Sequence, residues 1–153
     1  MNVEQLTPFI MAVKEVLEQF GVTDIKKEAV FLKEEMVIDQ DVTAFVGLVG
    51  DMIGNVSYCF SNQTAKKIAS AMMMGMPVEV MDEMTRSALA ELSNMITGHA
   101  VSVFSSNKVF LDITPPTLVA GEEMYFILAF LNTYKVVLNT SLGNVEVNIA
   151  LEI

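Results

Sequence analysis

Apolar residues fall in two rhythms along the chain, one of three and four residues and one of two. Leu6, Phe9, Ile10, Val13, Val16, Leu17 and Phe20 recur at helical steps and are followed by Gly21, which predicts an amphipathic helix with a glycine stop. Between Ile25 and Ile38 charged and apolar residues mix, which predicts one strand and an extended edge. Val42–Val49 and Met52–Phe60 are rich in Val, Ile and aromatics and flank Gly50-Asp51, the pattern of a hairpin. Ser61-Asn62 then caps a predicted helix over Gln63–Met74, closed by Gly75 and broken by Pro77. Met72, Met73, Met74 and Met76 at its end are read as gap-filling core rather than as a soft binding surface.

The stretch 81–107 predicts the central helix, about 20 residues long and capped at Asp82 or a neighbour. At about 100° per residue, Leu89, Leu92, Ile96, Ala100 and Val103 gather on one side, and Ser87, Glu91, Asn94, Gly98 and Ser102 on roughly the other. The first set is a core face. The second places a carboxylate and a carboxamide one turn apart, with a residue lacking a side chain one turn later, so another molecule can approach closely. The alternative for Gly98 is that it permits close packing within the fold.

Beyond this helix, Phe110–Ile113 reads as a short extended piece and Thr114-Pro115-Pro116-Thr117 as a rigid connection, since two prolines supply no backbone donors. Met124–Leu131, Tyr134–Thr140 and Asn144–Ile153 read as three strands of an antiparallel meander. A helix followed by three extended segments therefore occurs at 1–60 and again at 82–153. This loose repeat predicts an α+β domain over residues 1–153, with a pseudo-twofold arrangement and long helices packed side by side on a mainly antiparallel sheet.

With 153 residues the chain is long enough to bury about two-thirds of its unfolded surface. Its 52% hydrophobic and 18% charged residues exclude a largely disordered chain. A net charge of −10, from 19 acidic and 9 basic residues, repels polyanions and argues against a nucleic-acid partner. The N-terminus lacks the basic start and unbroken apolar run of a signal peptide. The most apolar long stretch, 42–58, is interrupted by Asp51 and three glycines, which argues against a membrane span. The lone Cys59 cannot form an intrachain disulfide and reads as a small buried hydrophobe in a reducing cytoplasm. His99 reads as a partly buried structural residue. Glycine loops ending in Lys-Ser or Lys-Thr, Gly-x-Ser-x-Gly and His-Glu-x-x-His are absent, so the usual hydrolase and metalloenzyme constellations have no residues to build on, and no metal ligands are expected.

Three runs together carry a resemblance: SAMMMGM at Ser70–Met76, AELSNMITG at Ala90–Gly98 and DITPPTLVAG at Asp112–Gly121. In this order they are similar to the CheX branch of the CheC/CheX/FliY chemotaxis phosphatases, over about 60 contiguous residues. The resemblance implies a CheC/CheX-like domain that hydrolyses the aspartyl-phosphate of a CheY-type response regulator in the cytoplasm. It assigns catalysis to Glu91, which would pair with the regulator's lysine, and to Asn94, whose amide would orient the attacking water. Ser87, Met95, Gly98 and Ser102 are the expected partner-binding residues. It further implies no cofactor of the chain's own, Mg²⁺ supplied by the regulator, and a homodimer. Relatives that carry a second Glu-x-x-Asn have it on the first helix. Here Glu15-Val16-Leu17-Glu18 ends in a carboxylate, so one site per chain is expected. The competing reading is a non-catalytic domain that binds a receiver or assembles as flagellar switch proteins do.

Overall fold

In the computed structural model, which describes residues 2–153, the chain enters its first helix through a reciprocal cap. The Asn2 side chain accepts from the Gln5 amide, and the Asn2 amide donates to the Gln5 side chain. A 3-10 turn over Val3–Leu6 leads into α1 (Thr7–Gln19), whose Phe9, Ala12, Val13, Val16 and Leu17 are buried. Gly21 follows at φ 79°, in the left-handed region, where the chain turns away.

The order is then β1 (Lys26–Lys33), β2 (Met36–Ile38), β3 (Val42–Gly50), β4 (Ile53–Phe60), α2 (Asn62–Met72), α3 (Glu83–Ser106), β5 (Leu111–Ile113), β6 (Thr117–Ala120), β7 (Phe126–Ala129), β8 (Thr133–Thr140) and β9 (Gly143–Glu152). One antiparallel sheet runs β1-β8-β9-β4-β3-β5, with β6 also on β3, while β2 and β7 form a separate two-stranded sheet. This order is palindromic. Exchanging β4 with β9, β3 with β8, β1 with the β5–β6 edge, β2 with β7 and α1 with α3 returns the same arrangement. The expected pseudo-twofold α+β architecture is therefore present, with α2 inserted between the halves.

Two expectations are corrected. The stretch 124–131 contributes β7, which pairs with β2 and not with β8, so the three-stranded meander reduces to β8 and β9. Its Ala129 joins Met36, Ile38, Cys59 and Ala150 in a small second core. Alternation shows that a segment is extended and one-faced, but not which strand it will meet. The Pro-Pro connection is also followed by a strand, β6, that the proline signal obscured. Pro115 and Pro116 interrupt a single edge: β5 pairs with Leu48–Gly50 and β6 with Val42–Phe45. Thr114 bridges the gap, donating its amide to the Gly47 carbonyl at 2.9 Å and accepting from the Gly47 amide at 2.8 Å on Oγ1. A side chain at position 47 would meet Thr114 at 3.0 Å, so the glycine makes room for this clasp.

A third correction concerns the methionines. Met72 and Met73 pack against the core, but Met74 is 98% exposed and Met76 56% exposed. Helix α2 ends at Met72, Met74 takes φ 59° and Gly75 φ 87°, so the chain turns before the last two can reach the interior. The main core lies between the sheet and the helices. Valines and leucines of β3, β4, β8 and β9 face Phe9, Val13, Leu92 and Ile96 there, and the Phe9 and Phe104 rings of α1 and α3 meet at 5.7 Å.

Candidate functional site

Helix α3 begins at Asp82, whose carboxylate accepts from the Thr85 hydroxyl at 2.7 Å and the Thr85 amide at 2.9 Å. These bonds hold the Asp82 carboxyl below the usual carboxylate range. The buried stripe is Thr85, Leu89, Leu92, Ser93, Ile96, Thr97, Ala100 and Phe104. Val103, expected in that stripe, is half-buried, and Phe104 fills the place. Ser93 and Thr97 looked polar in sequence yet face inward. Ser93 donates to the Ala90 carbonyl and Thr97 to the Ser93 carbonyl, so neither hydroxyl is left unpaired.

The opposite face carries the residues singled out from sequence. Ser87, Glu91 and Ser102 are exposed, while Asn94, Met95 and Gly98 are half-buried. All six lie on one continuous helix, so one face presents them together. Among the described residues, the side-chain hydrogen bonds of α3 are made by Thr85, Arg86, Ser93, Thr97, Ser102, Ser106 and Asn107. The ion pairs among the described residues are His99 with Glu15 and Lys135 with Glu146. Ser87, Glu91 and Asn94 take part in none of these. The Glu91 carboxylate and the Asn94 amide are thus free to engage something outside the chain. Ser102 donates to the Gly98 carbonyl at 3.1 Å, which commits its proton to its own helix.

A side chain built on Gly98 would meet nothing within 4 Å. Close packing within the fold does not explain this glycine. Its cost to the helix, about 0.5–1 kcal/mol relative to Ala, brings no internal contact.

His99 Nε2 lies 2.5 Å from Glu15 Oε2, tying α3 to α1, with both side chains partly exposed. The acid of Glu15-x-x-Glu18 on the first helix is therefore occupied by this contact. Cys59 is fully buried beside Ser57 and Asn148, and burial pushes its thiol up to about 11, which suppresses the thiolate a nucleophile needs. Among the described residues no group of three or more His, Cys, Asp or Glu is placed to hold a metal ion.

Clefts lie at the two ends of α3 rather than over Glu91 and Asn94. One of about 750 Å³ is lined by Asp41, Arg86, Glu122 and Glu123, and one of about 570 Å³ by Asp51, Ser102, Ser105 and Phe110. The open face between them suits a macromolecular surface better than a small molecule, which would need a concave wall. From Ser87 to Asn107 the helix bears one carboxylate, Glu91, and one histidine, His99. In a chain of net charge −10 this stretch of helix itself adds little negative charge against an approaching anionic group.

The palindromic sheet, the paired helices and this uncommitted Glu-Asn face define a CheC/CheX-like protein. The chain belongs to the CheX family, "Chemotaxis phosphatase CheX", whose family model matches residues 42–130. That span holds all three runs that carried the resemblance. The CheY-P phosphatase CheX of Thermotoga maritima is 38% identical over 87 residues, 57% of this chain and 56% of that protein, so the match spans just over half the length of this curated relative. A crystal structure of the chemotaxis protein CheX from Desulfovibrio desulfuricans superposes with a TM-score of 0.88 at 25% identity, covering 98% of this chain and 100% of the other. The CheX of a CheX-CheY-BeF3-Mg²⁺ complex from Borrelia burgdorferi gives 0.82 at 26% identity, covering 99% and 100%.

Proposed function

We propose that this chain, acting as one domain over residues 1–153, accelerates hydrolysis of the aspartyl-phosphate on a CheY-type response regulator and so terminates a chemotaxis signal. The observation that carries this reading is the pair Glu91 and Asn94, one turn apart, exposed or half-buried, and without a hydrogen-bond or ion-pair partner among the described residues. The Thermotoga relative is named as a CheY-P phosphatase and the Borrelia relative was crystallised with CheY, BeF3 and Mg²⁺, which supports both the substrate and the partner.

Asn94 inserts its amide beside the phosphoryl group and holds a water in line with the scissile bond. The water oxygen bonds to phosphorus as the bond from phosphorus to the aspartyl oxygen breaks. The aspartate leaves as a carboxylate and the phosphoryl group departs as inorganic phosphate. A neutral amide suits this role because it adds no negative charge next to the phosphate, whereas a carboxylate would be repelled. Positioning is most of what such a reaction needs. Glu91, an unpaired carboxylate on the same face, engages the regulator's lysine and fixes the orientation of the two proteins.

Mg²⁺ held by the regulator would neutralise charge on the phosphoryl oxygens. We assign it to the partner because, among the described residues, no group of three or more His, Cys, Asp or Glu is placed to hold it on this chain. Ser87, Met95, Gly98 and Ser102 form the surrounding contact surface. One site per chain belongs to this reading because Glu18 is a carboxylate where a second amide would stand, and the His99 contact of Glu15 supports it. A cytoplasmic location and a homodimer belong to the same reading. Among the described residues no helix is long and apolar enough to cross a membrane. Strand β1 lies at a sheet edge with Phe31 and Leu32 exposed, an edge that pairing would protect.

The deciding experiment follows the decay of a phosphorylated CheY-type regulator with Mg²⁺, with and without this protein. Faster decay is expected. Unchanged decay with every regulator of the source organism would sink the phosphatase reading in favour of a non-catalytic receiver-binding or switch-like domain.

A further inference from the structure

The face that carries Glu91 does not begin at Ser87. Met84 lies seven residues before Glu91 on the same uninterrupted helix, within about 20° of the same direction and about 10.5 Å further toward the N-terminus. Its side chain is 61% exposed. The neighbouring positions of this face are small or polar: Ser87, Gly98, Ser102 and Ser105. Met84 is therefore the one long apolar side chain standing clear of this surface, since Met95 packs against the core. From Met84 to Ser105 the face runs for about 30 Å, the diameter of a small domain.

A single exposed methionine is ordinary on a protein surface. Three observations set this one apart. It shares its direction with the uncommitted carboxylate Glu91, while Asn94 stands about 80° round the helix. Val80, four residues before it in sequence, is likewise exposed, at 64%. The exposed carboxylates Glu79, Asp82 and Glu83 lie within five residues of it in sequence, so this apolar side chain stands at an acidic helix start.

We propose that Met84 is a specificity-determining docking residue: it seats in an apolar depression, rimmed by basic side chains, on the receiver domain whose phosphoryl group Asn94 addresses. This rests on the receiver-directed reading of Glu91 and Asn94. A flexible thioether adapts to such a depression at little cost in fit, and methionine is enriched in buried interface cores. The placement divides labour along one helix. The Glu91-Asn94 turn recognises what all phosphorylated receivers share, and Met84, two turns away, reads a surface on which they differ.

The test measures binding of a CheY-type receiver activated with beryllofluoride and Mg²⁺ to the full chain and to Met84→Ala, Met84→Glu and Met84→Leu, with melting temperature as the control for folding. Met84→Glu should weaken binding about tenfold or more and Met84→Ala several-fold, while Met84→Leu restores it. In turnover the loss should fall on KM and leave kcat within about twofold. Equal affinity of wild type and Met84→Glu overturns the docking role, even if the wild type is an active phosphatase. Wild-type binding that Met84→Glu weakens, without any hydrolysis, supports docking and removes only the phosphatase reading. No binding of any receiver by wild type overturns both. An altered oligomeric state in Met84→Glu with unchanged receiver affinity assigns the residue to self-association and overturns the proposal.

Discussion

The phenol oxygen of Tyr58 on β4 lies 2.7 Å from the hydroxyl oxygen of Thr97 on α3, with both residues fully buried. Thr97 spends its single proton on the Ser93 carbonyl, so Tyr58 is the donor. This bond pins α3 to the sheet directly beneath the turn between Asn94 and Gly98. Tyr58→Phe removes the donor and leaves Thr97 still bonded to Ser93. The loss should be about 0.5–1.5 kcal/mol by urea denaturation. Activity should fall far less than for a change on the outer face. A loss of phosphatase rate without a matching loss of stability would show instead that the bond sets the position of Asn94.

The Asn94 side chain makes no hydrogen bond among the described residues, so Asn94→Ala should change stability by no more than about 0.5 kcal/mol. It should nonetheless lower the rate of phosphoryl hydrolysis by about 100-fold or more, the scale expected when a positioning group is removed. Denaturation and regulator dephosphorylation on the same preparation check both halves. A large drop in stability would make Asn94 a structural residue and move the search for the water-holding group elsewhere.

Much of this architecture was readable before any coordinates, for a definite reason. The helices announce themselves through long periodic runs, and Gly21, Asp82 and Ser61 mark ends by local rules that need no tertiary partner. The outer face of α3 was legible for the same reason, since helical geometry alone sets Ser87, Glu91, Asn94, Gly98 and Ser102 on one side. Local patterning cannot choose among distant partners. Nothing in 126–129 says that β7 will leave β8 for β2, and the prolines at 115 and 116 concealed that β5 and β6 share one edge of β3. The inward turn of Ser93 and Thr97 was missed because a hydroxyl satisfied by its own helix is indistinguishable in sequence from one facing water. Met74 and Met76 were misread because composition cannot tell that a left-handed turn will carry them outward.

Burial also sets how the protein responds to alkali. The Cys59 thiol is raised from 9.0 to about 11, chiefly by desolvation, and the same cause raises the Tyr58 phenol well above its ordinary range. In both cases the unfolded chain gives up its proton first, so it binds fewer protons than the folded state above pH 9, and stability must fall as pH rises. For Cys59 the loss should develop between about pH 9 and 11 and reach about 2–3 kcal/mol. Cys59→Ala should flatten that part of the curve while lowering stability near neutral pH. An unchanged alkaline slope in the variant would mean that another group governs it.

Gly98 offers the sharpest separation of stability from recognition. The space where its side chain would stand is empty to 4 Å, and its backbone is helical, so Gly98→Ala meets no internal obstacle. Alanine should stabilise the helix by about 0.5–1 kcal/mol, read as a rise in melting temperature. The methyl group would project from the same face as Asn94, one turn away, where a docked regulator must come close. Affinity for the activated regulator should therefore weaken while the fold becomes stronger. Higher stability with unaltered affinity would place the contact surface away from position 98, and lower stability would point to a constraint on α3 other than side-chain space.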